Sequence, residues 1–111
     1  MRTIEEWYDT LVELTRGTDY EVLIKTKICS PVVAIVPKNF DTPQRVAIYP
    51  KKTKNAGLVF EYDVFQIPRV KELMGEPNRI KNNRPHYTDI PDQTIIEVCK
   101  TFLISACPFS S

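Results

Sequence analysis

The chain opens with apolar residues at helical spacing. Ile4, Trp7, Tyr8, Leu11 and Leu14 recur every three or four positions and form one stripe. Thr3 and Glu6 stand at capping-box spacing ahead of it, each side chain able to satisfy a backbone N–H of the first turn. Gly17 is placed to end the helix in a left-handed conformation. A helix over residues 4–16 follows, with its stripe turned to the core.

The period then falls to two. Tyr20, Val22, Ile24, Thr26 and Ile28 lie on one side, and Glu21, Lys25 and Lys27 on the other, which predicts a half-buried strand. Ser30-Pro31 breaks it. Val32 to Val36 is an uninterrupted apolar run suited to the interior of a sheet. After a loop over 37–43, Val46 to Tyr49 predicts a third strand, ended by Pro50, which cannot donate a ladder hydrogen bond. A polar hairpin loop holding Lys51, Lys52 and Lys54 leads to a fourth strand, Leu58 to Gln66, with Leu58, Phe60, Tyr62 and Val64 on one face. Connections this short make neighbouring strands antiparallel, so the arrangement expected is a four-stranded meander.

Pro68 and Gly75 bracket a short helix. Residues 75–91, with three prolines, three basic side chains and the only histidine, read as a long loop. Asp89 or Asp92 then caps a closing helix whose apolar face comprises Ile95, Ile96, Val98, Cys99, Phe102, Leu103 and Ala106. The expectation is one α+β domain over residues 1–111, with the helices on one face of the sheet and a frayed tail at 108–111.

Composition narrows the class. With 111 residues there is material for a single core. Apolar residues at 42% and charged residues at 26% argue against a disordered chain. No apolar run approaches the roughly 18–20 residues that cross a bilayer, so no membrane partner is expected. The acidic, amphipathic N-terminus lacks the apolar core of a signal peptide. Three cysteines, Cys29, Cys99 and Cys107, form neither a disulfide framework nor a zinc spacing, which points to a reducing, intracellular compartment, cytoplasmic or nuclear.

The net charge of +1 conceals an uneven distribution. Residues 1–37 carry four basic and six acidic groups, 38–86 ten and five, and 87–111 one and three. Such asymmetry can mark a polyanion-binding surface, although a pI near 7.7 is far from that of a dedicated nucleic-acid binder.

Candidate chemistry is sparse. His86 is the default acid/base residue, with Asp89, Glu61 or Asp63 as orienting carboxylates. No companion motif supports that reading, and a lone histidine makes a poor metal site. Glu61 and Asp63, spaced by two on the fourth strand, could share a magnesium ion, but alternating charge is also the ordinary wet face of a sheet. Cys99 and Cys107 read as core thiols. Three glycines leave no phosphate-cradling loop. No cofactor or metal is implied, and the balance leans away from an enzyme.

The basic segments remain. Arg79, Lys81, Asn82, Asn83, Arg84, His86 and Tyr87 mix cations with hydrogen-bonding and aromatic groups, as phosphate and base contacts require. In a simple meander Lys25 and Lys27 approach Lys51, Lys52 and Lys54, while Lys38 approaches Arg79, Lys81 and Arg84. The two clusters would lie about 20 Å apart, the length of a six-residue strand. The leading expectation is a non-catalytic module binding an acidic partner through these loops and the wet sheet face, nucleic acid first. A protein-interaction or inhibitor domain docking through 75–91 is the second reading, in which an acidic protein surface is the partner. A small hydrolase-like enzyme centred on His86 is the third.

Overall fold

A computed structural model describes residues 3–26, 31–38, 45–51 and 54–106. Lys27, Cys29, Lys52, Cys107 and the 108–111 tail lie outside the described residues, as does most of the 37–43 loop.

Helix α1 spans Ile4–Thr15. Its capping box is formed: Thr3 Oγ1 accepts from the Glu6 amide at 3.2 Å, and the Glu6 carboxylate accepts from the Thr3 amide at 3.0 Å. Trp7 and Leu11 are fully buried, whereas Tyr8 is exposed, so the stripe is narrower than its spacing implies. Gly17 adopts φ +79° beyond the helix, a conformation that costs a residue without Cβ little.

Strands β1 (Tyr20–Thr26), β2 (Pro31–Pro37), β3 (Val46–Tyr49) and β4 (Gly57–Phe60) form the expected antiparallel meander. The fourth strand is shorter than its alternation suggests. Past Glu61 the chain turns into α2 (Tyr62–Phe65), and Tyr62, which a continued strand would bury, is 44% exposed. Helix α3 spans Pro68–Met74, with proline in its first turn as expected.

The largest correction concerns residues 75–91, which are not a structureless loop. They contain a hairpin, β5 (Arg79–Lys81) and β6 (Arg84–Tyr87), and β6 pairs with β4. The turn between them is the two-residue pair Asn82 and Asn83, at φ 55° and 61°. Positive φ at both central positions is the type I′ hairpin signature, and asparagine tolerates it better than other side-chain-bearing residues. The result, among the described residues, is a six-stranded antiparallel sheet ordered β1-β2-β3-β4-β6-β5, rather than four strands, within the same α+β class.

Helix α4 (Asp92–Ala106) closes the fold. It packs beside α1 and α3, and together the helices cover one face of the sheet. Beneath them lie Val33, Ile35, Val46, Ile48, Leu58, Phe60 and Tyr87 from the strands, meeting Trp7, Leu11, Ile95, Val98 and Phe102. Tyr20 meets Phe102 edge to face at 5.1 Å, and Phe60 contacts Tyr87 at 5.6 Å. Cys99 is buried in this core as a free thiol, and burial pushes its pKa up to about 12. Among the described residues, no helix is long and apolar enough to cross a membrane.

Candidate ligand-binding face

The opposite face of the sheet carries no helix among the described residues. Strand register fixes what stands on it. Leu23, Ala34, Ala47, Val59, His86 and Arg79 oppose one another in turn across all six strands. Because side chains alternate, the same face carries Glu21 and Lys25 on β1, Val32 and Val36 on β2, Tyr49 on β3, and Arg84 and Lys81 on the hairpin.

Charge is segregated between the two layers. The helices hold eight acidic and three basic side chains, the strands one acidic and four basic. Helix α1 alone has four acids and no base. The strand cations all occupy positions of the helix-free face. The asymmetry seen along the chain thus becomes an asymmetry between two surfaces.

Two concavities lie on this face. The first encloses about 210 Å³. Its floor is Val32, Ala34, Val36, Ala47 and Val59, and its charged lining is Lys25, Arg45, Glu61 and Arg84. Arg84 Nε donates to Glu61 Oε1 at 3.1 Å, an ion pair half-exposed on the arginine side. The Arg45 Nε is buried and has no hydrogen-bond partner among the described residues. A cationic donor held this way favours any acceptor that reaches it. The second concavity is lined by Tyr49, Lys51, Val59, Asn78, Arg79, His86 and Thr88.

This regroups the basic residues. Lys25 and Arg84 share the first concavity, whereas Lys51 and Arg79 share the second. The expected pairing of Arg79 with the far end of the sheet fails because β5 runs back along β6 and returns Arg79 opposite His86. Only Lys81 and Arg84 stay at the turn end. Lys54 and Asn83 are exposed and line neither concavity.

Tyr87 is not a surface contact. It is 3% exposed, lies on the helix-covered side and donates its hydroxyl to the Gly75 carbonyl at 2.8 Å. Burial, and then the negative charge of Glu76, push its pKa from 10 to about 12. His86 is half-buried on β6. Its pKa is held below the usual 6.5 by burial first, then by the charges of Arg79, Lys81 and Arg84. The imidazole is therefore neutral at pH 7 and able to accept a hydrogen bond. Among the described residues no carboxylate hydrogen-bonds it; Glu61 is held by Arg84 instead. Glu61 and Asp63 do not share a strand face, since Asp63 belongs to α2. No cluster of three or more potential metal ligands occurs among the described residues.

Arg45, Tyr49 and Val59 belong to this face and were not singled out by sequence. The signal was present in the alternation: Val46 and Ile48 in the core oblige Arg45, Ala47 and Tyr49 to face the other way. No protein-family model, no curated protein and no solved structure matches the chain.

Proposed function

We propose that the chain is a non-catalytic binding module that takes nucleic acid on the helix-free face of its sheet. One observation carries this reading: basic side chains are concentrated over an apolar groove, while the opposite, helical surface is acidic. Cations supply affinity for phosphates, and Tyr49, which lines the groove, offers a ring to the faces of bases or sugars. The acidic helices oppose a polyanion approaching from the other side and so orient it. Lys25, Arg45 and Arg84 are the contacts in one concavity, and Lys51, Arg79 and neutral His86 those in the other.

The test is an anisotropy titration with a labelled single-stranded oligonucleotide over a salt series. If these five cations each neutralise a phosphate, log K falls against log salt with a slope of about −3 to −4, from roughly −0.7 per contact. Arg84→Ala and Lys25→Ala should each make the slope shallower by about 0.7. No association with single- or double-stranded oligonucleotides at low salt, or slopes unmoved by either substitution, would refute it.

A further inference from the structure

We infer that β1 is a self-pairing edge, joining two copies of this chain through an antiparallel β1–β1 ladder centred on Leu23. Among the described residues the strand is terminal in the sheet and pairs only with β2. It has seven residues, and neither proline nor a bulge interrupts its pairing. The opposite edge, β5, has three residues and two cations, a short charged edge of the kind that resists pairing.

Two prolines fix which backbone groups of β1 point outward. Tyr20 opposes Pro37 and Thr26 opposes Pro31. Proline has no N–H, so both are non-hydrogen-bonded pairs, and by alternation the pairs of Val22 and Ile24 are too. The Lys38 amide donating to the Asp19 carbonyl at 2.9 Å agrees with this parity. The amides and carbonyls of Val22 and Ile24 therefore point away from β2, toward an edge that no other strand among the described residues takes up.

The strand's own sequence selects a second copy as the occupant. With Leu23 on a two-fold axis, Glu21 of each copy stands opposite Lys25 of the other, twice by symmetry. Leu23 meets its counterpart between the two ion pairs, on the helix-free face. On the other face Val22 meets Ile24. Val22 and Ile24 exchange the backbone bonds, so Leu23 and the Glu21–Lys25 pairs fall at the non-hydrogen-bonded positions, where side chains approach more closely. Leu23 is 37% and Ile24 45% exposed in the single chain, and this register covers both. The inference does not rest on what the sheet face binds, although Lys25 takes part in both.

Sedimentation equilibrium of the full chain at low salt, without nucleic acid, tests it. The wild type should show a reversible monomer–dimer equilibrium. Glu21→Lys and Lys25→Glu each turn both cross-strand ion pairs into like-charge pairs and should weaken the dimer by about tenfold or more. The double exchange E21K/K25E restores opposite charges in inverted order and should recover wild-type affinity to within about threefold. Both side chains are exposed, so circular dichroism should show the fold retained in all three variants. A wild type that stays monomeric to millimolar concentration, a dimer insensitive to the single exchanges, or a double variant no better than the singles would each overturn the inference.

Discussion

The hairpin over residues 79–87 decides whether the middle of the chain belongs to the sheet, and its turn offers a direct perturbation. Asn82 and Asn83 both hold positive φ, at 55° and 61°. A β-branched residue there sets its side chain against the neighbouring carbonyl, and the left-handed conformation costs about 1–2 kcal/mol per residue. Asn83→Val should therefore raise the population of the open hairpin by roughly 5–30-fold. Asn83→Gly should do nothing of the kind, because glycine reaches that φ without steric cost and suits the second position of a type I′ turn. The reporter is the Asn78 amide, which donates to the His86 carbonyl at 2.9 Å. Native-state hydrogen exchange followed by NMR should show it exchanging 5–30-fold faster in the valine variant, on the order of that opening cost. In the glycine variant its exchange should not be accelerated. An Asn78 amide that exchanges equally fast in all three proteins would mean that residues 79–87 are an open loop, and the placement of Arg79, Arg84 and His86 on the sheet would fall with it.

Three further outcomes follow from the same geometry. Tyr87, with a folded pKa near 12 against 10 when unfolded, contributes stability that is intact below pH 10 and is lost as pH rises toward 12; denaturation of Tyr87→Phe across that window should lose part of the alkaline slope, and an unchanged slope would refute the assignment. An NMR titration of His86 should give a pKa below 6.5, moving upward in Arg79→Gln, so this residue weakens the fold as pH falls through its own titration; a value at or above 6.5 would contradict its placement among three cations. Glu61 is the acid lining the first concavity, so Glu61→Gln should tighten oligonucleotide binding several-fold while Arg84→Ala weakens it, and equal effects of the two would remove that groove from the interface.

Much of the fold is legible in sequence where one period holds without a rival. Thr3 and Glu6 announce α1, and the alternation from Tyr20 onward announces β1. The apolar run at Val32–Val36 is explained by a strand facing two environments: Val33 and Ile35 under the helices, Ala34 and Val36 on the groove floor. The fourth strand misleads because Phe60 and Val64 share a face at both period two and the i, i+4 spacing of a helix. Only Tyr62 distinguishes the two, and its exposure is not readable from identity. The hairpin is hidden for another reason. Pro77, Pro85 and Pro91 suggest a broken chain, whereas Pro85 sits within β6 opposite Ile80. The cue was the Asn82-Asn83 pair flanked by Arg79–Lys81 and Arg84–Tyr87, too polar to announce itself as a strand pair by hydrophobic pattern. Without the hairpin, the sequence pattern places Arg79 at the wrong end and Tyr87 at the surface. Arg45 is hard to single out because it lies just before β3, opposite Glu61, and shares a groove with Arg84 only through the pairing of β6 with β4, which chain order does not announce.

In the proposed function the helix-free face of the sheet, and not the helical layer, meets an acidic ligand. Amide and methyl chemical-shift mapping during titration with a single-stranded oligonucleotide tests this most directly. Perturbations are expected at Lys25, Val32, Ala34, Arg45, Ala47, Val59, Arg84 and His86, with α1 and the exposed side of α4 silent. Perturbations centred on the helices, or none at low salt, would contradict it.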